Sequence, residues 1–159
     1  MSPEHEAQLA GLVHRRKAAA LGTLHAGAPF VSMVPFAVMP DGSAFVIHVS
    51  RLAGHTKDML ADSRVSLLVV QAEGEGVEAQ ALARVSVQGE ASEMAGGSGD
   101  ERECRRAYLA RFPEAVPLTE FGDFSFFAVR ATQARFVAGF AQAMSLTGET
   151  LARLLSARP

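Results

Sequence analysis

A mainly β fold, closed as an antiparallel barrel with helices filling its gaps, is the fold class this sequence predicts. Three observations carry that expectation. Six or seven short runs rich in Val, Phe and Ala alternate with turns built from Gly, Pro, Asp and Ser, helical periodicity is confined to a few intervals, and no internal repeat divides the chain. At 159 residues and 16.8 kDa the chain reads as one domain, residues 1–159. A chain of that length buries about two-thirds of its unfolded surface without disulfides or metal.

Residues 4–20 place Leu9, Leu12 and Val13, then Ala18, Ala19 and Ala20, at helical spacing behind Ser2-Pro3-Glu4, which predicts an amphipathic first helix. From Leu21 the period changes to two. Leu21–His25, the turn Ala26–Pro29 and the run Phe30–Met39 read as two strands joined by a tight turn. Pro35 falls inside the second strand, where its missing N–H marks an edge, a bulge or the mouth of a barrel. Pro40-Asp41-Gly42-Ser43 is the next turn, and Ala44–Ser50 the third strand. Residues 51–63 return to a helical pattern through Leu52, Met59 and Leu60, ahead of a strong strand Arg64–Val70. An acidic, Gly-rich loop at 72–80 precedes the strand Ala81–Gln88, and Ala95–Gly99 reads as a flexible connection. Arg102–Arg111 is a charged helix that stops near Pro113. Phe124–Val129 and Gln133–Val137 supply two more strands, and Thr147–Ala157 a closing helix capped by Thr147.

Composition removes several function classes. A formal charge of −2 supplies no field to attract duplex nucleic acid, and the basic groups are interrupted by acids and apolar residues. No run approaches the roughly 18 consecutive apolar residues of a membrane span. The single cysteine, Cys104, excludes an internal disulfide framework and a thiolate-rich zinc site, and it reads as an inert helical thiol. Glu4, Glu6 and Arg15-Arg16-Lys17 stand where a secretory signal would be apolar, so the expected location is cytoplasmic. The five histidines, His5, His14, His25, His48 and His55, never pair at i and i+4 in a helix, which leaves no helical metal face. The spellings of nucleophile elbows, phosphate loops and zinc proteases are absent, and no catalytic residue is assigned.

The run His48-Val49-Ser50-Arg51-Leu52-Ala53-Gly54-His55-Thr56-Lys57 is the most informative. A strand end leading into helix N-terminal amides, a hydroxyl and a cation forms a phosphate cradle. In the plainer reading Thr56 caps the helix while Lys57 and Asp58 are solvated. Spacing alone leaves both open.

Taken in order, Gly27-Ala28-Pro29-Phe30-Val31-Ser32-Met33-Val34-Pro35-Phe36, Asp41-Gly42, Ser50-Arg51-Leu52 with His55-Thr56-Lys57, and Arg64-Val65-Ser66-Leu67-Leu68-Val69 resemble the pyridoxamine 5'-phosphate oxidase-like family of FMN-binding split barrels. Phe121-Gly122-Asp123-Phe124 and Arg135-Phe136-Val137-Ala138-Gly139-Phe140-Ala141-Gln142-Ala143 resemble its haem-utilisation, HugZ/HutZ-like branch, and the likeness spans residues 10–155. The resemblance implies a six-stranded antiparallel split barrel and a homodimer with FMN at the subunit interface. The function it implies is an FMN-dependent oxidoreductase acting on a small-molecule substrate. Carried onto this chain, Ser32, Met33, Val34 and Pro35 line the flavin ring, His48, Val49 and Ser50 the ribityl chain, and Arg51, His55, Thr56 and Lys57 the phosphate. Many flavin-binding members have lysine where this chain has His55. An imidazole with a pKa of about 6.5 is largely neutral at pH 7, so the charge falls to Arg51 and Lys57. The haem branch implies an alternative, haem binding or degradation, with an axial histidine near the C-terminus. No histidine follows His55 here, so an axial ligand has to come from elsewhere in the chain. Asp123 either matches an acid of that branch or caps the turn before a strand. A further alternative is a binding module without cofactor, because a fold does not fix a function.

Overall fold

Strand-forming runs and their turns resolve, in the computed structural model, into a curled antiparallel sheet with four α-helices and two 3-10 segments, Ala79–Ala81 and Pro113–Glu120; residues 1–156 are described. In chain order these are helix Pro3–Arg15 (α1), strands Ala18–His25 (β1), Ala28–Pro35 (β2), Ala37–Val38 (β3) and Phe45–Ser50 (β4), and helix Gly54–Ala61 (α2). Strands Arg64–Val70 (β5) and Arg84–Glu93 (β6), helix Gly99–Arg111 (α3), strands Phe124–Gly139 (β7) and Gln142–Thr147 (β8), and helix Gly148–Ser156 (α4) follow. The strands pair antiparallel in the order β2-β1-β5-β6-β7-β4-β3, with β8 alongside the second half of β7.

Only Phe36 separates β2 from β3, so the two ends of that order are one continuous piece of chain and the sheet closes on itself. Counting β2 and β3 as one station gives the six-stranded split barrel expected from the sequence, with β8 as an addition. Pro35 sits at the switch. Pairing of β2 with β1 ends at Pro35 opposite Ala18, the Phe36 N–H donates to the Lys17 carbonyl at 3.1 Å, and the Phe36 ring turns into the core.

Period-two alternation puts Leu21 of β1, Phe45, Ile47 and Val49 of β4, Leu67 and Val69 of β5, Val85 and Val87 of β6, and Phe127 and Val129 of β7 inside the barrel. Leu9, Leu12 and Val13 of α1 and Leu151, Leu154 and Leu155 of α4 join this core, and Met59 of α2 enters it as well. A second, smaller core lies outside the barrel. There α3 lays Cys104 and Tyr108 over Val46, Phe126 and Ala128 from the outer faces of β4 and β7. Burial pushes the Cys104 thiol up, consistent with an inert packing role.

Several elements differ from expectation. Ala18, Ala19 and Ala20 are strand, not helix, because α1 ends at Arg15 and backbone pairing to Pro35, Val34 and Met33 overrides alanine's helix preference. Phe30–Met39 is two strands broken at Phe36. The strand read as Ala81–Gln88 begins at Arg84 and runs on to Glu93. The runs Phe124–Val129 and Gln133–Val137 are one strand, continuous through a register shift opposite Gln88 and Gly89. A Cβ on Gly89 would collide with the Arg130 carbonyl, so only glycine lets β6 approach β7 there. Thr147 does cap α4, its Oγ1 accepting the Thr150 N–H at 3.2 Å. Ala157, expected to end that helix, lies outside the described residues.

Candidate functional site

The residues expected to hold a flavin divide among different environments. On β2 the side chains alternate: Val34 is in the core, Met33 and Pro35 are exposed, and Ser32 faces α2, its Oγ 3.1 Å from His55 Nδ1. On β4, Val49 points into the barrel while His48 packs outside it. Ser50 donates its hydroxyl to Asp123 at 2.8 Å, and Arg51 pairs with Glu93. Val34 and Val49 therefore pack rather than line a ligand with their side chains. Thr56 does not cap α2, because Ala53 holds the N-cap position and Thr56 is fully buried. Its Oγ1 has no hydrogen-bond partner among the described residues. Lys57 is exposed as the plainer reading had it, whereas Asp58, expected to be solvated beside it, is 5% exposed.

Asp123 has more than a turn-capping role. It ties the end of β4 in place through Ser50, and its carbonyl accepts the Arg51 N–H at 2.6 Å. Next to it, a cleft of ≈ 320 Å³ is lined by His48, Arg51, Glu93, Arg105, Phe121 and Phe124 among others. The His48 ring stacks 4.3 Å from Phe126 and 5.1 Å from Phe124, centroid to centroid. Burial, reinforced by the Arg105 charge and opposed by Glu101, pushes its pKa down to about 4. His48 is thus a neutral aromatic plate at pH 7.

A second polar group lies where α2 covers one end of the barrel. Thr23 and His25 are two apart on β1 and face the same side, toward Asp58 of α2. Thr23 Oγ1 donates to Asp58 Oδ2 at 2.9 Å, and His25 Nδ1 meets Asp58 Oδ1 at 2.7 Å. The hydrogen bond from His25, joined by that from Thr23, holds the Asp58 carboxyl below its usual range. His55 sits in the same region with its pKa lowered by burial, and its Nε2 is buried without a partner among the described residues. The sequence reading missed the His25–Asp58 pair. The period-two spacing of Thr23 and His25 was visible, but their meeting with Asp58 depends on how α2 folds back over β1.

A groove of ≈ 490 Å³ runs along β1, β2, β5 and β6, where Leu24, Val31 and Arg64 share the outer face while Phe30 and Val65 reach it from the strands' core side, and Glu90 is among its polar residues. Phe30 and Val31 are large apolar side chains left 46% and 67% exposed. Arg64 is 72% exposed, directed by Asp62 through Nη2–Oδ2 at 2.6 Å. Phe30 also meets the His25 ring, 6.2 Å between centroids, so the groove and the His25–Asp58 pair adjoin. Apolar walls beside an arginine suit a flat, largely apolar molecule with acidic substituents. Among the described residues no helix is long and apolar enough to cross a membrane.

Comparison with known proteins supplies the family context. Residues 5–138 match the pyridoxamine 5'-phosphate oxidase family. The sequence is 39% identical over 123 residues to the chloroplastic heme oxygenase HOZ of Arabidopsis thaliana, covering 77% of this chain but 36% of that protein. It is 29% identical over 138 residues to the heme oxygenase HutZ of Vibrio cholerae, covering 86% of this chain and 77% of that protein. Among solved structures, a heme binding protein from Mycobacterium smegmatis superposes with a TM-score of 0.84 at 27% identity, over 96% of this chain and 61% of the other. This chain spans about a third of the plant relative's length.

Proposed function

The chain belongs to the pyridoxamine 5'-phosphate oxidase family, in its haem-utilisation branch, and from that premise we propose that it binds haem as a substrate for oxidative ring opening. The observation that carries the reading is the outer groove, in which exposed Val31 and half-buried Leu24 share a face with Arg64. A porphyrin needs apolar contact for its faces, cations for its propionates and a nitrogen donor for its iron. The groove supplies the first, and Arg64 retains N–H groups beyond those given to Asp62 for the second. The relatives named as heme oxygenases support the same direction. Opening the macrocycle consumes dioxygen and electrons from an external reductant. This chain contributes water exclusion by the apolar walls and orientation through the propionates. A homodimer is part of the proposal, with a second copy covering exposed strand β2.

The flavin reading loses ground on geometry. Arg51 is engaged by Glu93, burial lowers the His55 pKa, and Val34 and Val49 are core residues. Separate additions of hemin and FMN to the purified protein, each followed by gel filtration, distinguish the two. Retained Soret absorbance with no retained flavin is expected, and retained flavin without haem would reverse the assignment. Arg64→Ala is expected to weaken hemin binding about tenfold, the scale of one charge-assisted hydrogen bond. The fold should tolerate it, since an exposed ion pair contributes little stability. Unchanged hemin affinity in that variant would move the propionates off Arg64.

A further inference from the structure

We infer that the C-terminal end of α1 carries a second ligand site, separate from the outer groove and independent of the haem reading, which takes a small molecule bearing a phosphate monoester. A cavity of ≈ 400 Å³ there is walled by Gln8, Leu12, Arg15, Arg16, Gln71 and Ala83, with no acidic residue among its lining. Arg111 of α3 adds a third guanidinium behind it, donating from Nη2 to the carbonyls of Val13, at 3.5 Å, and Arg16. Among the described residues none of these three arginines meets a carboxylate, whereas Arg51, Arg64, Arg105 and Arg153 each do. Arg16 and Arg111 are half-buried, and the Nε atom of each is buried without a partner among the described residues. Burial lowers the Arg111 pKa with no opposing charge beside it. A buried cation without a counter-charge is costly, so an anion at this place offsets a penalty that the fold otherwise carries.

The local geometry suits one compact dianion. The negative end of α1 would oppose an anion, but its last carbonyls are occupied: Leu12 accepts the Arg16 N–H at 3.1 Å, and Arg111 covers Val13 and Arg16. Gly11 lies buried within α1, and the nearest atoms that a Cβ there would meet belong to the Arg15 guanidinium, with Nη1 at 2.6 Å. Glycine disfavours a helix interior, yet here it lets the Arg15 head fold back against the helix at the cavity wall. Gln71 is set as a donor, because its Oε1 accepts the Ala83 N–H at 3.1 Å and leaves its amide N–H groups open. Two guanidinium forks and an amide match the three acceptor oxygens and charge of about −2 of a phosphate monoester. Leu12, Ala72 and Ala83 give its organic body an apolar wall.

The experiment titrates the protein with inorganic phosphate, phenyl phosphate and succinate at constant ionic strength, with chloride as the control. Binding is followed by the melting temperature and by the arginine Nε–H signals in heteronuclear NMR. Phosphate is expected to raise Tm and shift the Arg16 signal, phenyl phosphate to do so at lower concentration, and succinate and chloride to do neither. Arg15→Ala and Arg16→Ala are each expected to weaken phosphate binding about tenfold, the scale of one charge-assisted hydrogen bond. Gly11→Ala displaces the Arg15 head while improving helix propensity, so phosphate affinity should fall while the ligand-free Tm holds or rises. A merely structural Arg15 would not produce that combination. If Arg16→Ala does not fold, the exposed Arg15→Ala substitution still decides the question. Equal responses to phosphate and chloride in wild type overturn the site, and succinate binding in place of phosphate overturns the ligand class. Phosphate binding that none of the three variants weakens overturns the location.

Discussion

His48 and His25 show one residue type put to opposite uses by burial. His48 is closed in by aromatic rings, and its pKa falls to about 4. Its folded-state pKa lies below the ordinary value of 6.5, so the folded protein binds fewer protons than the unfolded chain between those two pH values. Its contribution is fully present above pH 6.5 and is lost as pH falls toward 4. Linkage puts the loss at about 2 kcal/mol by pH 5. Urea midpoints at pH 7 and pH 5 should show that decline in wild type and a much smaller one in His48→Phe, which keeps the ring and removes the proton site. Equal declines in the two proteins would assign the acid sensitivity elsewhere. Neither environment was legible from the sequence, where His25 closes one strand run and His48 lies within another. What separates them is that α3 covers the outer face of β4 while the end of β1 stays open.

The β1–β2 hairpin carries a local conflict between sequence and backbone. Ala26 adopts φ 49°, a region that costs a Cβ-bearing residue about 1–2 kcal/mol and that Asn or Gly enters more readily. Ala26→Asn is expected to raise stability by about 0.5–1 kcal/mol, read as a higher urea midpoint at unchanged slope. A lower midpoint would mean that the turn is held by contacts an asparagine disrupts. This hairpin was legible because Gly27 and the flanking period-two runs announce it. So were β4, β5 and the charged helix α3, each marked by its own periodicity and bounded by Pro or Gly. The misread elements share a physical cause. Ala18, Ala19 and Ala20 continue the helical spacing of the first helix with small side chains of high helix preference, and pairing with β2 and β5 overrides it. β7 joins two runs across Arg130, Ala131 and Thr132, a polar interval that looks like a turn. It stays extended because β6 pairs along both halves, with Gly89 making room for the Arg130 carbonyl. The site was less legible than the fold for the same reason. Ser32 and His55 meet, a contact the sequence reading did not foresee, and whether Val34, Val49 or Asp58 faces core or solvent depends on strand parity and helix placement together.

A barrel that closes on itself has little need of partners along its edges, which makes its remaining apolar exposure informative. Val31 and Met33 point outward from β2 at 67% and 65% exposure, and Leu52 and Leu60, before and within α2, are at 76% and 52%. A monomer exposing these side chains leaves apolar surface in water that a second copy could cover, at the usual scale of about 800 Å² per partner in a stable interface. The expected assembly is therefore a dimer, with a light-scattering mass of twice 16.8 kDa. Met33→Glu is the discriminating variant because Met33 lies on β2 outside the groove walls, so a charge there should oppose association without entering the haem surface. A wild-type monomer at micromolar concentration would remove the dimer from the proposal. In a monomeric Met33→Glu protein, hemin titration then separates two architectures. Retained binding places the whole site within one chain. Loss of binding despite an intact fold by circular dichroism makes the groove a half-site that the second copy completes.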